Sequence, residues 1–358
     1  MSTRLFCREE SKRGGTKMFT RRFLIIAGIA LVVRVWTAST ETMPLWLDEL
    51  AHGNYVAYIH EHWSLPDTAV AKEDLPPAPG RSQQVSYEHY QPPAYYILAA
   101  VFSGGSPLGA RFVSVAMFMI ALCFVWAASR DSAITLALAI IPGIIYATSV
   151  IGNDVFLLMG SAIMFYACAW DKTWAFILGG GVLATSKFHG LPVLLVVGVY
   201  YYVKHRPRWA MIALACALVG AAIVWWRWDL QKVNDASITL VTLKISKITD
   251  IISQTLASGV MHIAPYELGQ FSYILGVPVG LVLAYQAYRR MKSGLPVLNI
   301  GVIGIVLLTW AVFSLTHEAW QGRLIYAAVP WLALKQKHPD GLETRAKAEE
   351  KPKRKSSS

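Results

Sequence analysis

The amino-acid sequence predicts an all-α polytopic membrane protein with about ten transmembrane helices and a large first extracytoplasmic loop that carries juxtamembrane helices. Three observations predict it. Only 15% of the 358 residues are charged, against about 25% in an ordinary soluble chain. The apolar set makes up 55% and the mean hydropathy is +0.42. Runs such as 107–128 and 295–316 extend for roughly 20 residues with almost no charge, the length needed to cross a hydrocarbon core. Two soluble domains, which the length alone would allow, are thereby excluded.

The elements follow in chain order. Residues 1–22 form a basic tail with seven Lys/Arg, and the tail 336–358, rich in Lys, Glu and Ser, is expected to be disordered. Fifteen of the 33 Lys/Arg lie in 1–22 and 335–358, so the net charge of +11 reads as cytoplasmic anchoring against anionic lipid and not as a nucleic-acid surface. The first apolar run, Phe23 to Val33, lacks a clear cleavage site and is followed by Arg34 and Trp36, which marks a retained span and not a leader. The spans predicted within the membrane unit 23–335 are 23–38, 107–128, 133–150, 155–170, 174–186, 189–203, 209–226, 271–288, 295–316 and 323–335. The four cysteines show no CxxC spacing and suggest neither disulfides nor a zinc site.

Parity orients these spans. The N-terminal tail and the basic clusters KHRPR (204–208) and YRRMK (288–292) belong inside, so an even number of crossings must separate them. The apolar stretch 92–104 is then an interfacial or re-entrant segment; the competing count fuses 174–203 into one span and lets 92–104 cross. The first reading puts both termini in the cytoplasm. It puts loop 39–106 and the second large loop 227–270 outside, with the turns at Asn153-Asp154, 186–189 and 317–323. Loop 39–91 carries eight acids against Lys72 and Arg81. The unusual polar residues therefore gather on one side of the membrane.

Five groups among them bear chemistry. Asp48-Glu49 opens an amphipathic helix over 46–62, with Glu49, His52, His60 and His62 expected on its wetter faces. Asp48 is either a reacting acid or simply a helix cap. The run Tyr87 to Tyr96 (YEHYQPPAYY) starts an aromatic interfacial helix. An aromatic belt accounts for its tyrosines but not for Glu88, His89 and Gln91 together. Asn153-Asp154 sits at the mouth of a span, where an acid is costly and either functional or a cap. Lys187, in LATSKFHG, either snorkels to the surface or holds a phosphate as a point charge. Arg323, in QGR, either anchors a span end or grips phosphate through its fork of donors.

Taken in order, these pieces resemble the GT-C glycosyltransferases, and within them the protein O-mannosyltransferase and lipid A aminoarabinose transferase group. The resemblance spans about 34–335 and rests on the acidic pair after the first span, the PPxYY helix, Asn153-Asp154, the Thr185-Ser186-Lys187 turn and the late GRLIYAAVPWLAL. In that segment Leu324 stands where the group usually has Tyr, and Gln91 replaces a lysine common before the Pro pair. The resemblance implies a GT-C-like fold and transfer of a sugar from a polyprenyl-phosphate donor to the hydroxyl of a glycan, lipid or protein acceptor, with inversion. A phosphate ester leaves readily, so one base suffices, without the paired acid and base of a glycosidase. Asp48 is the expected base, with Glu49 and Asp154 orienting the acceptor or binding a divalent cation (Mg or Mn). Lys187 and Arg323, with His189 as a lesser partner, are expected to hold the donor phosphate. Glu88, His89, Gln91 and Tyr95 are expected to position substrate. The group includes members that work without metal. A secondary transporter and a non-catalytic accessory subunit are the alternative readings.

Overall fold

A computed structural model describes residues 20–40, 49–67, 74–75, 84–85, 90–234, 281, 285–290, 292, 295–317 and 322–333. Among these residues the protein is all-helical, apart from two-residue strands β1 (Asp74–Leu75) and β2 (Gln84–Val85) paired antiparallel with Asp74 opposite Val85. The helices are α1 (Arg21–Thr40), α2 (Glu49–His62), α3 (Ala94–Ser103), α4 (Pro107–Ser129), α5 (Ser132–Ile140) and α6 (Pro142–Ala147). They continue with α7 (Asp154–Trp170), α8 (Thr173–Ala184), α9 (Gly190–Val203), α10 (Pro207–Asn234) and α11 (Val297–His317), and a 3-10 helix closes the series at Gly322–Leu332. Three segments are long and apolar enough to cross a membrane: Arg21–Thr40, Pro107–Ser129 and Pro207–Arg227. The shorter apolar helices α3, α7, α8 and α9 accompany them. The composition and these helices mark a membrane protein.

Local sequence sets the element ends. Helix α1 buries Phe23, Ile26, Ala30, Arg34 and Ala38, one face at helical spacing, and exposes Leu24, Val32 and Trp36 on the other. Ser106 caps α4 by accepting from the Gly109 N–H, with Pro107 pre-set for the first turn. Arg130 ends α4 in the left-handed region, and Asp131 caps α5 through the N–H groups of Ala133 and Ile134. Helix α7 is buried almost all round and is the centre of the bundle, packed against α4, α8 and the 3-10 helix. Glycines let α8 approach it closely: a Cβ on Gly179 would stand 2.7 Å from the Met164 amide nitrogen.

Three expectations are corrected, and the competing count that fuses 174–203 is set aside. The span expected over 133–150 is broken at Ile141, which is extended, because Pro142 has no N–H to return to Leu138. Arg34 repairs the break. Its guanidinium donates to the carbonyls of Leu138 (2.8 Å) and Ala139 (3.0 Å) and to Thr148 Oγ1 (2.8 Å), and it lies over the Phe118 ring. The turn after Ala184 separates α8 from α9, so 174–203 is not one helix. The last apolar run forms a 3-10 helix with Pro330 inside it, about 22 Å long at 2.0 Å per residue. It is fastened to α7 by Ser161 Oγ donating to the Ala327 carbonyl (2.5 Å) and by Trp331 Nε1 donating to Ser161 (2.8 Å). Finally, Glu49 and His52 are not on a wet face: they are 4% and 1% exposed. Helix α2 packs on α3 and α4, so its polar residues meet partners there.

Candidate active site

The turn 148–153, between α6 and α7, is gripped by side chains from several segments. The Ile151 N–H donates to Glu49 Oε1 at 2.9 Å, and the Gly152 N–H donates to the Tyr95 hydroxyl at 3.0 Å. Thr148 takes the bond from Arg34. Asn153 Nδ2 donates to Gln91 Oε1 (3.2 Å) and to the Ser186 carbonyl (3.4 Å). Buried backbone polar groups need such partners, and a tight turn between helices cannot supply them itself.

Glu49, the first residue of α2, meets Arg111 of α4 through both oxygens, Nε to Oε1 at 2.7 Å and Nη2 to Oε2 at 2.9 Å. Arg111 Nη1 also donates to the Ala38 carbonyl at 3.1 Å, which ties the end of α1 to the start of α2. A carboxylate this buried demands a paired cation, and the fork of donors on Arg meets both oxygens at once.

Asp154 opens α7, and its Oδ1 accepts from Lys187 Nζ at 2.6 Å with both side chains about 5% exposed. Lys187 belongs to the turn between α8 and α9, so the pair joins two turns 33 residues apart. His189, at the N-cap of α9, is buried and lies against Phe188 at 3.8 Å between ring centroids.

An aromatic wall backs the turn. Tyr95 meets Ser114 Oγ at 2.7 Å, and Tyr96 meets His52 Nδ1 at 2.7 Å. Tyr55 stacks on Tyr96 with centroids 4.1 Å apart and donates to the Gln91 carbonyl at 3.4 Å. Burial pushes the Tyr55 phenol up to about 12, opposed by the neighbouring Arg227, so it stays protonated at neutral pH.

Of the residues expected at the site, Glu49, Gln91, Tyr95, Asp154, Lys187 and His189 lie in this connected polar cluster or in the turns that build it. Asp48, Glu88 and His89 fall outside the described residues, and so does the side chain of Arg323, whose backbone lies in the first turn of the 3-10 helix. The sequence reading missed Arg111, His52 as a buried residue, Tyr55 and Arg227. Arg111 carried a signal, since a charge in the first turn of an apolar run asks for a partner. Among the described residues no group of three or more His, Cys, Asp or Glu is placed to hold a metal ion. The carboxylates of Glu49 and Asp154 already face cations. A divalent ion there would have to displace a guanidinium or an ammonium, so these residues as arranged do not fit one. Comparison of the chain with protein families, curated proteins and solved structures gives no match.

Proposed function

We propose that the protein is an integral-membrane glycosyltransferase that moves a sugar from a polyprenyl-phosphate donor to an acceptor hydroxyl, with inversion, at the extracytoplasmic rim of a GT-C-like bundle of about ten spans. The observation that carries this reading is the buried Asp154–Lys187 pair at 2.6 Å, set in a polar cluster drawn from α2, the start of α3, α4 and the turns 148–153 and 185–189. Charges at such a depth are costly and are kept where they act on a ligand or a proton. Polar contacts of a second kind lie at the opposite helix ends, where Arg290 pairs with Asp131 and Arg206 with Asp171. Helices that run from one set of turns to the other support the crossing pattern, and the positive-inside rule gives the rim to the outer face.

In this mechanism the acceptor oxygen attacks the anomeric carbon while its proton passes to Asp48. The bond from that carbon to the phosphate oxygen breaks, and its electron pair leaves with polyprenyl phosphate. Lys187 exchanges Asp154 for the departing phosphate, and Arg323 and His189 assist it. Fixed cations at a leaving phosphate act without reorganisation at the moment of reaction. Glu49, locked by Arg111, holds the frame with Gln91 and Tyr95. No step is routed through a metal ion.

Purified protein given labelled polyprenyl-phosphate sugars tests the phosphate assignment. Lys187→Gln is expected to raise KM for the donor at least tenfold, and an unchanged KM would remove Lys187 from the phosphate site. The break between α5 and α6, with Arg34 buried beside it, favours a second reading as a transporter, because broken helices line transporter sites. The carbonyls at that break are already taken by Arg34, which weighs against a substrate there. Solute uptake by proteoliposomes separates the two. An accessory subunit would keep its cellular role after loss of both Asp48 and Lys187.

A further inference from the structure

Asn153 occupies the N-cap position of α7 but makes no capping hydrogen bond. The ordinary reason for Asn at that position is therefore missing. Its side chain turns to Gln91 and Ser186 instead, spending both amide hydrogens there. The Ser186 carbonyl can only accept, so the amide nitrogen must face it, and the amide oxygen points elsewhere. That oxygen has no hydrogen-bond partner among the described residues, although Asn153 is fully buried. A buried acceptor without a donor is rare and needs an explanation. The amide lies one residue from each member of the ion pair, next to Asp154 in sequence and bonded to the carbonyl of Ser186, which precedes Lys187.

We propose that Asn153 is a specificity-determining residue whose Oδ1 accepts a hydrogen bond from one hydroxyl of the transferred sugar. The inference rests on the sugar-transfer reading and adds to it a particular recognition contact. An ammonium for phosphate and a bare acceptor oxygen beside it match the two chemistries of such a donor, an anion and a polyol. A site built to hydrogen-bond a hydroxyl rejects the analogue that lacks it, because its own polar atom is then left unpaired.

The experiment uses the full-length protein with whichever polyprenyl-phosphate hexose or pentose the wild type turns over, together with its monodeoxy and monofluoro analogues. Donor affinity is the readout, since fluorine also slows the chemistry by withdrawing electrons from the reacting carbon. In the wild type one deoxy analogue is expected to bind about ten- to hundredfold more weakly. The fluoro analogue at the same position should be equally poor, because fluorine cannot donate. In Asn153→Leu the discrimination at that position should shrink to below about threefold. If the Leu variant does not fold, the fluoro series on the wild type decides alone: fluorine restoring affinity means a donor, not Oδ1, faces that hydroxyl. Unaltered discrimination in a folded Asn153→Leu overturns the inference and leaves the transferase reading standing. A wild type that turns over no donor removes both.

Discussion

Asp154 and Lys187 face each other at 2.6 Å with almost no access to water, and this fixes what each can tolerate. Removing Asp154 leaves the Lys187 ammonium as an uncompensated buried charge, at a cost of about 3–5 kcal/mol. Asp154→Leu should therefore lower the thermal midpoint in detergent clearly. Lys187→Met with Asp154→Leu should recover most of that loss, because no lone charge remains, and yet should not recover donor binding. A double variant as unstable as the single one would mean that the pair is not coupled as described. The same logic explains which residues sequence reading could reach. Asp154 and Lys187 stood out because charges at span ends are costly wherever they occur. Glu49 and His52 were expected on a wet face because periodicity sees only the helix that carries them. Their burial depends on Arg111, 62 residues away, and on Tyr96, 44 residues away. No local pattern encodes such pairings.

At the scale of elements, the break between α5 and α6 shows how a proline and an arginine compensate one another. Pro142 cannot return a hydrogen bond to Leu138, and Arg34 supplies donors to Leu138 and Ala139 from the neighbouring helix. Arg34→Met should cost about 1–3 kcal/mol for each carbonyl left bare. Adding Pro142→Ala should return part of it, since a continuous helix can again close the Leu138 bond. Thermal unfolding of the two variants checks this; no recovery in the double variant would show that Arg34 acts through something other than those carbonyls. Most of the described helices are readable from length and apolar content, and α2 from the periodicity of its apolar residues. The break was not placed because 133–150 has the length of a span and a proline in a membrane helix is tolerated when neighbours satisfy its orphaned carbonyl. The 3-10 form of the last run was also missed. It is held by Ser161, which meets Ala327 and Trp331, and by Asn299, which donates to the Trp331 carbonyl, contacts made across the fold that composition cannot reveal.

For the whole molecule, the polar turns that collect at one rim give the chain its asymmetry. Glu49, Gln91, Tyr95, Asn153, Asp154 and Lys187 come from segments spread over more than a hundred residues, and hydrogen bonds draw them around the turn 148–153. The opposite helix ends carry ordinary surface and capping pairs such as Arg206–Asp171. Such a division suits an enzyme that works on a lipid-borne substrate at one face of the membrane, in keeping with the proposed sugar transfer at that rim with Asp48 as base. The decisive measurement is donor turnover by purified protein across a panel of polyprenyl-phosphate sugars, with wild type and Asp48→Asn assayed side by side and both shown to be folded. The wild type is expected to release or transfer the sugar of at least one donor, and Asp48→Asn, nearly the same in shape, is expected not to. Transfer by Asp48→Asn at the wild-type rate would contradict the assignment of the base, and a folded wild type that turns over no donor would contradict the transferase itself.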